Sequence, residues 1–230
     1  MSFQFLSLIL GGILSLADYV TEHTIPKSAS SNHKLVSFSA GVAVSYIILS
    51  LFPEISSYAL IDGKQIFIYA LLGFVILNLI EQYVYKGVGK LKNLPKYHKK
   101  VRIAYFFVYN LFVGVVLVSF ASRGLAQTIL FFIPFFLYMV VEMIPQGFEF
   151  QSKILGAFYS ISPLIGTLIG AYYIDYTDPL FGKLTSFVTG TLLYIVIREF
   201  LPTDKAEKPF YFTVGVIFYA LVILLSWRFI

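Results

Sequence analysis

Two long apolar segments of this chain carry the same spaced pattern, and this internal repeat is the strongest constraint on its fold. Residues 37–41 read Ser-Phe-Ser-Ala-Gly and lead to Leu-Phe-Pro at 51–53, whereas residues 186–190 read Ser-Phe-Val-Thr-Gly and lead to Phe-Leu-Pro at 200–202. The shared Ser, Phe, Gly and Pro lie 149 positions apart without a gap. The segments are the second and seventh of eight, so the chain is expected to run through them in opposite senses. Inverted repeats are common in secondary transporters, so transport is the first hypothesis.

The composition is that of a membrane protein. Hydrophobic residues make up 58% of the chain and charged residues 13%, against about 25% charged residues in soluble domains. A water-soluble enzyme is therefore excluded. Cysteine is absent, which excludes disulfides and thiolate metal sites. The net charge of +5 is interpreted as a topology signal rather than as a nucleic-acid surface.

Eight segments are long and apolar enough to cross a bilayer, which requires about 20 residues each. The first is expected to be retained, because the N-terminus lacks the basic residues of a signal peptide. It is also the weakest span, since Asp18 lies near its end. The predicted spans are 3–20, 35–54, 64–85, 102–122, 126–147, 153–174, 181–201 and 209–229.

Lysine and arginine are distributed unevenly between the two sides of these spans. The even-numbered connections and the C-terminus hold only four of the 17, namely Lys64, Arg123, Lys183 and Arg228. Basic residues concentrate on the cytoplasmic side. The sequence therefore predicts a cytoplasmic, lysine-rich loop at 86–102 and extracytoplasmic N- and C-termini.

Polar side chains within apolar spans are candidates for function, because they are costly in a bilayer. Asn110 lies near the middle of span four, beside Tyr109. Glu142 and Gln146 in span five are four residues apart and share a helical face. Alternatives remain: Asn110 joining two helices by a hydrogen bond, and Glu142 lying at the interface or pairing with Arg198.

Prolines interrupt the helical hydrogen bonding of spans five and six. Pro134 and Pro145 interrupt span five, and Pro163 follows Ser160 and Ser162 in span six. A proline leaves the carbonyl one turn earlier without its donor. Such carbonyls can become ligands where they face a cavity.

No enzymatic constellation is present in the sequence. All three histidines fall in predicted connections, and neither a His-x-x-x-His motif nor a phosphate-binding loop occurs. The chain is therefore not expected to be an enzyme, and no cofactor is expected.

Five segments together resemble the ZIP family of divalent-metal transporters over essentially the whole chain. The resemblance implies eight spans with outward termini, and sliding of one helix bundle with spans four and five lining the ion path. The matching residues, by span, are 38–41 and 51–54 (two), 109–114 (four), 142–147 (five), 162–166 (six), and 190–194 with 199–202 (seven).

The departures from the family fall on its metal site. Tyr109 and Val113 stand where the family has the span-four histidine and glutamate that bind metal. Glu142, Met143 and Gln146 replace the histidine, aspartate and glutamate of span five.

Three other positions of the metal path are altered or retained in part. Ser162 stands where one branch of the family has a glutamate. Ser50 replaces the histidine of the span-two His-x-x-Pro-Glu motif, of which Glu54 remains. The histidine-rich loop of the family is lysine-rich in this chain.

The resemblance thus implies a metal site of Asn110, Glu142 and Gln146, with Tyr109, Met143, Ser162, Ser50 and Glu54 also on the path. A dehydrated dication needs anionic or imidazole ligands. Zinc would bind this set poorly, whereas a softer ion could use the Met143 thioether and a harder one the oxygens. A single Glu142 could equally serve a monovalent cation or a proton.

The sequence predicts an all-α membrane protein of one domain, residues 1–230, with eight transmembrane helices. Spans 1–3 and 6–8 form an inverted repeat around spans 4–5, and Tyr-Ala-Leu at 69–71 and 219–221 marks equivalent positions in spans three and eight. Its expected partners are the lipid bilayer and a divalent metal or other small cation as substrate; a homodimer is left open, and nucleic acid is not expected.

Three interpretations of function remain. The first is a ZIP-like metal-ion transporter of the cell membrane with an altered site. The second is a ZIP-like protein that carries another small solute or serves as a non-transporting partner subunit. The third is an unrelated eight-span membrane protein.

The topology can be tested by labelling, since the chain has no cysteine of its own. A cysteine replacing Lys92 should react only from the cytoplasm, and one added at the C-terminus only from outside, because basic loops stay cytoplasmic. Reaction of both from the same side would contradict the eight-span prediction.

Overall fold

The described part of the fold is built from helices. The computed structural model describes residues 3–24, 32–86, 96–142, 153–173, 178–200 and 208–228, and no strand occurs within them. Two π-helical segments, π1 and π2, follow α2 and α9. In chain order the elements are α1 (Phe3–Thr24), α2 (Asn32–Tyr46), π1 (Ile47–Leu51), α3 (Phe52–Asp62), α4 (Ile66–Lys86), α5 (Lys96–Arg123), α6 (Leu125–Glu142), α7 (Lys153–Ser160), α8 (Ser162–Tyr173), α9 (Leu180–Ile195), π2 (Val196–Phe200) and α10 (Pro209–Ser226).

Six of the described helices are long and apolar enough to cross a membrane. The prediction of a multi-pass, all-helical membrane protein is thereby confirmed at this level. The six are 3–21, 33–62, 66–83, 103–123, 180–198 and 209–226. The other two predicted spans differ: α6 is a shorter apolar helix, and span six is divided into α7 and α8 at Ile161.

The surface of α10 shows why a bilayer suits this fold. The helix is apolar almost throughout, yet only Gly215, Tyr219 and Ile223 are buried. Phe210 and Leu225 are more than half exposed. An apolar helix with most of its surface exposed requires lipid rather than water around it.

The second span was predicted to end at residue 54, next to Pro53, but the proline does not end the helix. The helix runs without interruption from His33 to Asp62. It widens to a π turn just before Pro53, so that the Phe52 N–H donates to the Ile47 carbonyl five residues back. A π turn accommodates the ring of a proline that has no N–H to donate. The other π segment, π2, lies 149 residues later, just before Pro202.

Two of the turns require glycine. Gly63, between α3 and α4, has a φ of 82°, and Gly124, between α5 and α6, has a φ of 137°. Side chains with a Cβ rarely adopt such angles, so glycine allows these helices to reverse direction within a few residues.

Glycines bring the backbones of α2 and α10 into direct contact. A Cβ on Gly41 would overlap the carbonyl oxygen of Phe212, and one on Gly215 would overlap that of Phe38. Only a residue without a side chain allows two helices to approach so closely in a membrane.

The α4–α9 pair is built in the same way. A Cβ on Gly190 would overlap the carbonyl oxygen of Ala70, and one on Gly73 would overlap that of Phe187. The Phe and Gly of the 149-residue sequence pattern therefore make the same kind of contact in α2 and in α9.

These contacts correct one detail of the predicted repeat. Ala70 faces the repeat glycine of α9 as Phe212 faces that of α2. By contact, the counterpart of Ala70 is Phe212 and not Ala220, so the Tyr-Ala-Leu echo does not mark equivalent positions.

The helices pack as two bundles. The first bundle comprises α2, π1, α3, α4, α9, π2 and α10; the second comprises α1, α5, α6, α7 and α8. Within the second, Gly114 lies against the Pro163 carbonyl and Gly166 against that of Leu111, which join α5 to α8. Thr128 Oγ1 donates to the Phe120 carbonyl at 3.3 Å and joins α6 to α5.

Large aromatic rings contact one another across the boundary between the two bundles. Tyr46 of α2 meets the rings of Phe131 and Phe135 of α6 edge-on, with centroids 6.3 and 6.4 Å away. Phe112 of α5 meets Phe187 of α9 at 5.6 Å. The backbone contacts of these glycines therefore lie within bundles, whereas the contacts between bundles include aromatic side chains.

The glycine contacts predict how substitutions affect stability. Gly41→Ala and Gly190→Ala should each destabilise the protein by about 1–3 kcal/mol, because a backbone must move to admit the new methyl group. Thermal unfolding of the purified variants in detergent measures this.

Gly12→Ala is the matched control, because nothing lies within 4 Å of a Cβ at that helical position. It should be neutral or slightly stabilising, since alanine favours helix. Equal effects of all three substitutions would contradict the packing described above.

Candidate cation site

Asn110 is a buried polar residue of α5. Its side chain is fully buried, and its Nδ2 donates to the Tyr159 hydroxyl of α7 at 3.3 Å. Its Oδ1 accepts no hydrogen bond within the described part of the chain. Leaving a buried acceptor without a donor costs about 1–3 kcal/mol. A ligand that satisfied this oxygen would offset that cost.

The junction between α7 and α8 places further oxygens beside Asn110. Pro163 has no N–H to donate to the Tyr159 carbonyl. The Leu164 N–H, which a regular helix would direct to the Ser160 carbonyl, instead lies 3.1 Å from Ser15 Oγ of α1. The interruption of this span thus releases backbone acceptors from the helical pattern.

Two serines flank this interruption. Ser160 and Ser162 are buried, and their Oγ atoms have no hydrogen-bond partner among the described residues. The sequence predicted a polar, breakable stretch here, and the structure shows a helix boundary at Ile161. Hydroxyl, amide and carbonyl oxygens are the ligands that hard cations prefer.

The positions of the family's span-four ligands are filled by packing. Tyr109 is fully buried, with its ring edge-on to Phe106 at 6.4 Å and to Tyr138 at 6.0 Å. Val113 is also fully buried. A dication could not be bound here by these two side chains in place of histidine and glutamate.

The first span holds a buried carboxyl group that was not among the site residues predicted from the sequence. Asp18 of α1 is fully buried, although its position near a span end suggested a weak helix. Ser15, one turn earlier, contacts Leu164, so this stretch of α1 passes the α7–α8 junction. An acidic residue within an otherwise apolar segment was the available signal.

The span-five candidates are only partly described. Glu142 is the last residue of α6, and the structure describes its backbone alone. Met143 and Gln146 lie outside the described residues. Whether these three join Asn110 therefore remains a prediction.

The span-two candidates lie elsewhere. Ser50 of π1 and Glu54 of α3 line a separate cavity of about 320 Å³. Neither Asn110 nor Ser162 belongs to its lining. The structure thus divides the sequence-predicted candidates between two places.

Two acidic side chains of the described spans form ion pairs. Glu81 of α4, which is buried, lies with its Oε2 3.2 Å from Arg198 Nε of π2. Glu54 pairs with Arg123 at the end of α5. Among the described residues no three His, Cys, Asp or Glu side chains are grouped as metal ligands.

Comparison with known proteins adds no relative. No protein-family model matches the chain, and a search of curated proteins finds no match.

Proposed function

We propose that this protein is a ZIP-like transporter of a metal or other small cation, with its ion path along spans four and five and Asn110 of α5 on that path. The observation that carries the proposal is the buried Asn110 Oδ1, which lacks a donor within the described residues and lies beside an interrupted helix. Membrane proteins place irregular backbone at depth where it lines a site or cavity.

The repeat supports a transporter architecture. The proposed plan has eight spans, with inverted copies related by a two-fold axis in the membrane plane. Its support is the matching glycine contacts of α2 with α10 and of α9 with α4, and the recurrence of a π turn before Pro53 and Pro202.

The division into bundles suggests how the ion would move. Each bundle is held by close glycine contacts between backbones, whereas side chains, including aromatic rings, meet between the bundles. Shear between packed helices is a known means of transition. The second bundle would carry Asn110 and its ion past the first.

A second candidate function has one observation in its favour. The ring contacts of Tyr109 with Phe106 and Tyr138 fill the place of a family ligand with tightly packed side chains. A ZIP-like protein that no longer carries metal, and carries another small solute or serves as a partner subunit, would have this packing.

Asn110→Leu and Glu142→Gln test the proposal. Both should lower cation flux into proteoliposomes at least tenfold, because each removes an oxygen ligand or its charge. Asn110→Leu should also leave the melting temperature unchanged or higher, since it removes a buried acceptor without a donor. Flux of several metal ions and of sodium identifies the substrate.

Asp178→Asn is the control, because Asp178 lies in an exposed turn before α9 and should leave flux unchanged. Flux that survives both test substitutions contradicts the proposed site. A large loss of stability in Asn110→Leu with unchanged flux would instead show that Asn110 only joins two helices.

A further inference from the structure

A second polar site lies between the two bundles, at the end of the molecule where α5 turns into α6. We call it the vestibule: a cavity of about 320 Å³ lined mainly by Leu49, Ser50, Pro53, Glu54, Gln127 and Trp227. The first bundle contributes π1, α3 and the end of α10, and the second contributes Phe120, Gln127 and Leu130. By the charge distribution of the sequence it would face the outside.

The vestibule is rich in acceptors that lack donors. Gln127 Oε1 has no hydrogen-bond partner within the described residues. The Leu49 carbonyl has no helical donor from Pro53, which has no N–H. Ser57 Oγ donates to the Glu54 carbonyl at 2.7 Å, and Ser226 Oγ donates to that of Ile223 at 2.6 Å. Because these hydroxyl protons are engaged, both oxygens present lone pairs to the cavity.

Glu54 supplies the negative charge of this site. Its Oε1 pairs with Arg123 Nη1, and no described side chain engages its Oε2. Its side chain is 19% exposed, so the carboxylate is within reach of solvent ions. One carboxylate with several neutral oxygens is the environment in which Mg²⁺ binds while it keeps most of its water.

The volume of the vestibule suits a hydrated ion. At about 30 Å³ for each water molecule, the cavity has room for roughly ten, which exceeds the six of an octahedral shell. The water molecules of that shell would donate hydrogen bonds to the oxygens of Ser57 and Ser226.

Arg123 acts as a competing cation at the edge of the vestibule. Its guanidinium pairs with Glu54, donates to the Tyr58 hydroxyl, and lies over the rings of Tyr58 and Phe120 at 5.4 and 5.3 Å. Arg123 belongs to the second bundle and Glu54 to the first. An arriving cation would therefore take over a carboxylate that otherwise ties the two bundles together.

We propose that the vestibule binds a hydrated divalent cation of the Mg²⁺ type through Glu54, in competition with Arg123. This site is separate from the one at Asn110 and requires no transport for its detection. Failure of the transport hypothesis and failure of this one are therefore distinguishable.

The single tryptophan of the chain makes the test direct, because Trp227 lines the vestibule. Mn²⁺ favours the same oxygen ligands as Mg²⁺ and is paramagnetic, so its binding should quench Trp227 fluorescence. In the purified full-length protein the quenching should saturate, and Mg²⁺ should reverse it. Tetramethylammonium at equal ionic strength should not reverse the quenching.

Two variants with opposite expected effects decide the assignment. Glu54→Gln should abolish saturable quenching. Arg123→Gln should tighten Mn²⁺ binding by about fivefold, because loss of a solvent-accessible ion pair worth up to about 1 kcal/mol frees the carboxylate. Asp62→Asn, which changes an acidic residue of the same helix outside the lining, should leave the quenching unchanged.

Quenching that survives Glu54→Gln, or that Mg²⁺ does not reverse, would overturn the assignment. So would reversal by tetramethylammonium, which would indicate an organic cation. If Glu54→Gln does not fold, Arg123→Gln still decides, since unchanged or weaker Mn²⁺ binding would show that the ion pair serves only to join the bundles.

Discussion

The backbone hydrogen bond is the constraint on which the rest of this structure depends. In the hydrocarbon core of a bilayer no water satisfies a carbonyl that loses its helical donor. The chain loses such donors at Pro53, Pro134, Pro163 and Pro202. At Pro53 and Pro163 the helix widens or is interrupted, whereas one turn before Pro134 the Tyr219 hydroxyl donates to the Leu130 carbonyl at 2.6 Å. Both candidate sites lie where these prolines leave carbonyl oxygens available. The positions of prolines therefore determine where this apolar protein can offer ligands to an ion.

Packing determines which parts could move. Glycine contacts join α2 to α10, α4 to α9 and α5 to α8. A methyl group on any of the six glycines that make them would overlap a neighbouring backbone: Gly41, Gly215, Gly73, Gly190, Gly114 and Gly166. Such pairs should stay together as units. The contact between the bundles, in contrast, depends on aromatic rings and on a few polar ties, such as Tyr105 with Thr191 at 2.8 Å and Arg123 with Glu54.

The sequence was sufficient for the helices and for their closest contacts. Helix positions follow from the lengths of the hydrophobic segments. The Phe and Gly of the repeat follow from comparison of the chain with itself. Neither requires knowledge of how the helices pack. The register of α4 relative to α10 was misassigned, since a three-residue echo is weaker evidence than a glycine that touches a backbone. Span two was predicted to end at residue 54, whereas the helix continues to Asp62, because a π turn that accommodates a proline leaves no simple sequence signal.

The candidate sites were only partly predictable. Asn110, Ser160 and Ser162 stood out as polar residues in apolar spans, and all three are buried. Asp18 was passed over because its burial depends on how α1 packs against α8. The pairing of Arg123 with Glu54 joins residues 69 positions apart and arises only from tertiary structure. The assignment of Glu142, Met143 and Gln146 to the cation site still depends on the sequence alone.

Relative movement of the two bundles is the central claim, and cross-linking tests it most directly. With no cysteine in the chain, Phe112→Cys with Phe187→Cys joins α5 to α9 across the bundles, where the rings are 5.6 Å apart. Phe38→Cys with Phe218→Cys joins α2 to α10 within one bundle at a similar ring distance of 5.9 Å. Cation flux into proteoliposomes is measured before and after a short thiol cross-linker, and again after its cleavage. The account predicts that the first cross-link stops flux reversibly and that the second leaves it unchanged. Undiminished flux with the two bundles joined would contradict it.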